Sequence, residues 1–476
     1  LNSIADWIRA LPERFGRRTL VALALIAVLG LGLRVYAVVN PVTNPADDSH
    51  AYYALSKALY EEGSYGGPEF RDSSDWSPGA PLLYAAAYYA TGGAREGTAR
   101  IVEALLGVAA ILVVFALAAR LARGVLGPPG ARRSALTSSG TDPTSGVAQA
   151  AGLLAAFAVA VYPPFIHATG ELMSEPPAIL TLPAAVLAFL WASEKKRAWA
   201  SLVPGLLFGL TAMFRPEYLV VGAAFVILAA LRVGFARGWR PGLVGAGLLL
   251  ASLLLPIVPW TIRNLDVLDR VVPISTGSGK ALYVGTFLPA DGEYQRVKAT
   301  LAKRYLDLDL APNSKALNDV DPTELFDEVA ETRYPDLPRD SALGKVGKRN
   351  FSKYFGENPI GYLEMTARKV GRMWSSGVGA AMSSTLGRVV QILLVGLGIA
   401  GFVLLGLRRR WWELVAMATP IVLVTAVGAV SLAAPRRNEV LMTLVIPLAA
   451  IALVAAASAI SSGRKWSPEQ ASSPPS

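Results

Sequence analysis

Two adjacent carboxylates, Asp47 and Asp48, follow Pro45 and lead into Ser49 and His50. Far from them in sequence stand four guanidinium groups: Arg215 in Phe214-Arg215-Pro216-Glu217, Arg263 just after Trp260, and the pair Arg436-Arg437. Glu171 and Glu175 bracket Leu172-Met173-Ser174, and Lys280 closes the run Gly277-Ser278-Gly279. A carboxylate beside an acceptor hydroxyl takes its proton as a general base. Guanidinium forks match phosphate oxygens and stabilise a departing phosphate. Brought together, these residues suit the transfer of a group from a phosphate to a hydroxyl. Asp48 with His50 and His167 would also offer ligands to a divalent cation, the one cofactor this set suggests.

Each residue also has a plainer role. Asp47 and Asp48 stand where a helix opens, and aspartate is a favoured N-cap. Only one of the two is needed for that. Glu175 precedes Pro176, where an acid complements a helix dipole. Arg215 has Glu217 as a ready partner, Arg263 beside Trp260 fits an interfacial anchor, and two histidines in separate loops fit ordinary hydrogen bonding. Lys369 sits in a basic run that reads as solvated. The run ending at Lys280 is no P-loop, because Ile274 stands where the leading glycine belongs and Ala281 where Ser or Thr is needed.

The elements that would position these groups are apolar spans. The 476 residues are 53% hydrophobic and only 17% charged, a deficit of charge that favours a bilayer. The net charge of +10 comes from patches between apolar runs, not from a basic stripe with interleaved aromatics, which argues against nucleic acid. The absence of cysteine excludes disulfides and thiolate metal sites, and two histidines exclude a multi-histidine site. About ten spans are expected, at 20–39, 101–119, 147–165, 176–192, 199–214, 218–231, 243–260, 386–407, 411–432 and 440–460. Basic clusters precede the first and follow each even-numbered span, placing both ends in the cytoplasm. The first run is long enough to span and lacks a small-residue cleavage site, so it reads as an anchor rather than a signal peptide.

This gives an all-α polytopic membrane protein. Residues 1–19 form a cytoplasmic N-terminus and 20–262 a transmembrane module whose first outer loop is 40–99. Residues 263–385 form a small, mainly helical outer domain, with helices expected near 294–308, 323–333 and 359–374. Spans follow at 386–460, then a disordered cytoplasmic tail at 461–476. The apolar run 79–91 is too short to cross and reads as interfacial or re-entrant. The spans at 199–214 and 218–231 are short as well, so the tip bearing Arg215 is expected below the outer surface, where a charge is a functional candidate.

The order of motifs resembles the glycosyltransferase-C superfamily, specifically the bacterial relatives of protein O-mannosyltransferases and aminoarabinose transferases. The resemblance is carried by Asp47-Asp48-Ser-His-Ala-Tyr-Tyr, Trp76-Ser-Pro-Gly-Ala-Pro-Leu, Tyr162-Pro-Pro through Glu171-Leu-Met-Ser-Glu175, Gly209-Leu-Thr-Ala-Met-Phe-Arg215-Pro-Glu217, Pro259-Trp-Thr-Ile-Arg263-Asn264, Pro273-Ile-Ser-Thr and Arg436-Arg437. It implies a polyprenyl-phosphate-sugar donor, a polysaccharide, lipid or protein acceptor, and a multi-pass location in a cell membrane, the bacterial plasma membrane. It also implies Asp47 as the catalytic base, with Asp48 its close alternative. Asp48, Glu175, Arg215, Arg263, Lys280, Arg436 and Arg437 are then expected to bind substrate, and transfer with one base and no carboxylate nucleophile is expected to invert. The outer domain departs from the aminoarabinose enzymes in its placement. From another class, a transporter or flippase of a lipid-linked saccharide would also need a polar cavity and outer arginines, but no inverted repeat is visible.

Overall fold

A computed structural model describes residues 16–41, 48–66, 74–127 and 143–461. Asp47, the stretch 128–142 and the tail from 462 lie outside these described residues. Among the described residues the regular elements are all helices, and the chain is an all-α polytopic membrane protein. Eight of its helices are long and apolar enough to cross a bilayer, and a bent pair makes a ninth.

The N-terminal half comprises α1 (Arg17–Val39), α2 (Asp48–Glu61), α3 (Gly79–Thr91), α4 (Glu96–Leu126), α5 (Pro143–Val161), α6 (Pro163–Gly170) and α7 (Glu175–Ala192). Next come α8 (Leu202–Phe214), α9 (Tyr218–Arg237) and α10 (Trp239–Leu268). The outer segment holds α11 (Ser278–Thr286), α12 (Tyr294–Tyr305), α13 (Lys315–Asp319), α14 (Pro322–Arg333), α15 (Arg339–Glu357), α16 (Pro359–Ser375) and the short α17 (Ala380–Ser383). Three apolar helices close the chain: α18 (Thr385–Leu407), α19 (Trp411–Val430) and α20 (Pro435–Ser461).

The apolar runs read from the sequence are helical, and two of them run on further than expected. The α9 helix extends to Arg237 and is 20 residues long, so only α8 is short; the basic end of α9 continues the helix because long cationic side chains reach the interface from within a span. The α10 helix continues past Trp260 to Leu268 and carries Arg263 within it rather than in a loop. Lys369 is fully buried on α16 and donates to the Gly285 and Ser431 carbonyls at 2.7 and 2.9 Å, so it is not the solvated residue its basic surroundings suggest.

In the membrane, close backbone approach replaces hydrophobic driving force between helices. Gly205 and Gly209 lie one turn apart on α8, and a Cβ at either would stand 2.3 Å from the Leu249 or Leu253 carbonyl oxygen of α10. The tip of α8 is seated on α3 in the same way: a Cβ on Gly79 would meet the Met213 carbonyl at 2.7 Å. The 13-residue α3 thus braces the loop that bears Arg215.

The break between α5 and α6 follows from Pro163 and Pro164. Neither has an amide hydrogen, so the carbonyls of Val159 and Ala160 lose their donors four residues on, and the chain bends by 45°. Arg34 of α1, fully buried, supplies the missing donors. Its Nη2 reaches the Val159 oxygen at 3.3 Å and its Nη1 the Ala160 oxygen at 3.4 Å, with Gly30 a third acceptor at 3.0 Å. Backbone freed by proline in a bilayer must find such a partner.

The outer segment has its own core, built on Tyr283, Val284, Val297, Leu301, Leu325, Phe326, Val329 and Leu343. The expected helices near 294–308, 323–333 and 359–374 are present as α12, α14 and α16; α15 was not anticipated, because its charged residues obscure a narrow apolar stripe.

Candidate active site

The site forms where the outer ends of α7 and α20 meet the start of α2 and the α8–α9 tip. Glu175 opens α7 and is 2% exposed. Its Oε1 accepts from Arg215 Nη1 at 2.5 Å and from Arg436 Nε at 2.8 Å. Arg436 Nη1 donates onward to Asp48 Oδ2 at 2.7 Å. Arg215 Nε and Nη2 both donate to Glu217 Oε1, at 3.0 and 2.8 Å. Charges therefore alternate along Asp48, Arg436, Glu175, Arg215 and Glu217, drawn from four parts of the chain. Buried ions are tolerated only when so paired.

The pairing is incomplete in two places. Arg436 Nη2 has only the Met173 thioether, at 3.8 Å, and sulfur is a weak acceptor. Arg437 is half-buried near Glu217 and Arg215, and its buried Nη1 has no hydrogen-bond partner. Two guanidinium edges are thus left without a strong acceptor beside the ion cluster.

Asp48 begins α2 and its Oδ1 accepts from Trp76 Nε1 at 3.3 Å. Burial pushes its carboxyl up, but the Arg436 guanidinium and its hydrogen bond, with Lys280 adding, outweigh this and hold it below the ordinary aspartate value. Asp48 is therefore a carboxylate held ionised by Arg436.

The 171–175 segment is pinned from behind. The Leu172 amide donates to Ser49 Oγ at 2.9 Å, and the Met173 amide to Glu103 Oε1 at 3.2 Å. The Tyr84 hydroxyl lies between Glu103 and the Met173 carbonyl, 2.8 Å from the latter. Glu103 and Arg34 are charges inside apolar runs, a signal the sequence does carry; the role of Met173 carries no such signal.

Other expected site residues stand apart from the ion cluster. Arg263 donates to Ser74 Oγ, Asn264 Oδ1 and the Tyr65 carbonyl at 3.0, 3.1 and 2.7 Å, and lies 5.2 Å from the Trp260 ring centroid. It fastens the first outer loop to α10. Lys280 sits 5.7 Å from the Phe326 ring centroid, near enough to influence Asp48. The glycine run before it is already filled: the Gly277 and Gly279 amides donate to Asp340 Oδ1 at 2.9 and 2.7 Å. His50 is exposed on α2. His167 on α6 has Nε2 3.4 Å from Glu171 Oε1. Among the described residues no three His, Asp or Glu side chains gather as a metal site.

Beside Arg436 opens a small cleft of about 10 Å³, room for about one water molecule, lined by Ala168, Glu171, Met173, Glu175, Val378, Arg436 and Glu439. It lies against the ion cluster and puts space next to the guanidinium edge that rests on sulfur.

No family model matches the sequence, and no curated protein matches it in sequence. Solved structures do resemble it. One is the archaeal oligosaccharyltransferase AglB from Archaeoglobus fulgidus in complex with an inhibitory peptide and a dolichol-phosphate, at 15% identity and a TM-score of 0.48, covering 95% of this chain and 52% of that one. The Archaeoglobus fulgidus oligosaccharyltransferase tethered to an acceptor peptide matches at 15% identity and a TM-score of 0.49, covering 94% of this chain and 50% of that one. ArnT from Cupriavidus metallidurans bound to undecaprenyl phosphate matches at 14% identity and a TM-score of 0.35, covering 96% of this chain and 80% of that one. This chain spans about half the length of the oligosaccharyltransferases.

Proposed function

We propose that this protein is a membrane glycosyltransferase that moves a sugar from a polyprenyl-phosphate donor to an acceptor hydroxyl at the outer face of a cell membrane, the bacterial plasma membrane. The observation that carries the reading is Arg436: it is held between two carboxylates while its remaining edge faces a cleft with nothing better than a thioether. A phosphate oxygen is a far stronger acceptor for that edge. The motif order resembling the glycosyltransferase-C superfamily supports the same conclusion.

In this reading the donor phosphate settles on Arg436 Nη2, with Arg437 and Arg215 supplying positive charge behind it. Glu175 and Asp48 fix the Arg436 plane, so the cation is in place before charge develops on the leaving phosphate. Asp47, next to the residue that anchors Arg436, takes the proton of the acceptor hydroxyl. The acceptor oxygen forms a bond to the anomeric carbon as the bond to the phosphate oxygen breaks, and the phosphate leaves as the dianion. One base and a single displacement give inversion. The outer domain, built on 263–385, holds the acceptor, a polysaccharide, lipid or protein.

The test is transfer in proteoliposomes from a labelled polyprenyl-phosphate sugar. Asp47→Asn is expected to retain donor binding and lose transfer, by about 100-fold or more. Asp48→Asn, which loosens Arg436, is expected to weaken donor binding as well. Sugar-lipid movement across the bilayer with no glycosylated product would instead identify a flippase and sink the proposal.

A further inference from the structure

Helix α16 presents three faces. Tyr362, Met365, Lys369 and Met373 are buried on the first. Arg368 and Arg372 lie on the second and are paired with Asp291. On the third, Ile360, Leu363, Ala367 and Trp374 align at helical spacing. This face is apolar and uncovered over its first turns: Ile360 is 70% and Leu363 59% exposed, and Ala367 is exposed too. It ends inside the bundle, where Trp374 Nε1 donates to Thr425 Oγ1 of the apolar helix α19 at 3.2 Å. At the other end of α16 the patch widens onto α15. Phe351 and Phe355 are exposed there and stack with ring centroids 5.4 Å apart. Both meet Tyr362 edge-on, at 5.5 and 5.9 Å. Lys345, Lys348 and Arg349 precede these rings by one to two turns; all three are exposed, and none forms an ion pair among the described residues.

We infer that this patch docks on the bilayer, with Ile360, Leu363, Phe351 and Phe355 among acyl chains and Lys345, Lys348 and Arg349 on anionic phospholipid headgroups. A contiguous apolar surface left in water is unfavourable and marks a place of contact. Two observations name lipid as the contact. The stripe is continuous with Trp374, which already reaches a helix of the bundle, so one face of one helix passes from the bundle to the exposed tip. The cations border the exposed rings, as in interfacial helices whose Phe and Leu enter the acyl boundary while Lys and Arg meet phosphates. An acidic polymer would engage the cations and leave the stripe in water. Docking also bears on the ion cluster. Asn438, two residues after Arg436, donates to the Ser376 carbonyl at the end of α16 at 2.9 Å, so the docked helix steadies the start of α20. The inference does not depend on what the chain transfers.

The chain has no cysteine, so single cysteines can report where the patch lies. Ile360→Cys and Leu363→Cys, each labelled with bimane, are compared with Glu331→Cys at an exposed position of α14. The full chain is held in nanodiscs of phosphatidylcholine with nitroxide-bearing acyl chains. Both patch labels are expected to lose at least about half their fluorescence, and the Glu331 label almost none. Adding phosphatidylglycerol is expected to deepen quenching of the patch labels about twofold. Lys345→Gln, Lys348→Gln and Arg349→Gln in one protein are expected to abolish that gain and to spare the quenching in phosphatidylcholine alone. Patch labels quenched no more than the Glu331 label overturn the docking. Pyrene excimers between copies labelled at Ile360→Cys would identify a second chain as the occupant and overturn it as well. A phosphatidylglycerol effect that survives the triple substitution overturns the assignment of the three cations to headgroups.

Discussion

Arg34 and Arg436 each donate to several acceptors, and they are used in opposite ways. Arg34 donates to three backbone carbonyls, two of them stripped of their helical donors by Pro163 and Pro164. Its surroundings close on it: a Cβ at Gly107 would stand 2.1 Å from its Nε. Arg436 instead donates to two carboxylates and rests its last edge on a thioether beside an open cleft. A charge inside a membrane protein is not by itself a sign of chemistry. What separates the two is the nature of the partners and whether space remains beside them. Carbonyl acceptors with no room mark a structural cation; carboxylates with an unfilled edge mark one prepared for an anion.

The sharpest way to break this comparison is at Arg436. Replacing it with Met removes the donor from both Asp48 and Glu175, and is expected to lower transfer by roughly 100- to 1,000-fold, the range for losing one preorganised donor at a developing charge. Arg436→Lys keeps the charge but not the fork and is expected to recover little. Transfer rates measured alongside thermal stability check this; a variant that transfers normally would place the phosphate elsewhere.

At Arg34 the expected effect is on folding. Arg34→Met leaves the Val159 and Ala160 carbonyls without donors and is expected to destabilise the protein by about 2–4 kcal/mol. Restoring the amides with Pro163→Ala and Pro164→Ala in that background is expected to recover stability, because the carbonyls regain their helical donors. Activity is not expected to return, since a straightened helix carries His167 and Glu171 away from the cleft. Melting temperature and transfer measured on the same variants separate the two effects; additivity of the substitutions would show that Arg34 does not act through the break.

The contrast between these arginines also shows how far the sequence could be read. The spans, the short helix at 79–91 and the burial of the Arg215 tip follow from apolar runs and their lengths, which local composition records. That Asp48, Glu175, Arg215 and Arg436 meet follows from the placing of each near the end of an apolar run. The partners do not: Arg263 shares those features yet binds Ser74, Asn264 and Tyr65, because α10 runs on to Leu268 and carries it past the cluster. Lys369 reads as a surface lysine until the packing of α16 on the loop before α20 buries it.

Lys369 gives a pH-dependent comparison with these permanently charged arginines. Burial lowers its pKa from 10.5 to about 8, with Arg372 and Arg437 adding to the shift. The unfolded chain therefore holds the proton that the folded one releases between about pH 8 and 10.5, so stability rises with pH across that window. Relative to Lys369→Met, the native protein is expected to gain up to about 3 kcal/mol on going from pH 8 to 10.5. Denaturant unfolding of both proteins at matched pH values checks this; a flat difference would mean Lys369 stays charged in its two-carbonyl seat.

The smallest effect is expected where the first outer loop meets the outer domain. Arg339 bridges Asp75 and Asp327, with Asp327 at 3.3 Å, and Asp75 also accepts from the Thr276 hydroxyl. The Arg339 side chain is 32% exposed, and ion pairs in water contribute about 1 kcal/mol or less. Arg339→Ala should therefore barely move the melting temperature. Its effect should be local: the Thr276 amide, which donates to the Ser74 carbonyl at 2.7 Å, is expected to exchange its hydrogen faster once Asp75 is released. Because Ser74 also accepts from Arg263, loosening that reaches the Arg263 contacts would show the first outer loop held as one unit with α10. Faster exchange confined to 275–277 would show Arg263 holding it alone.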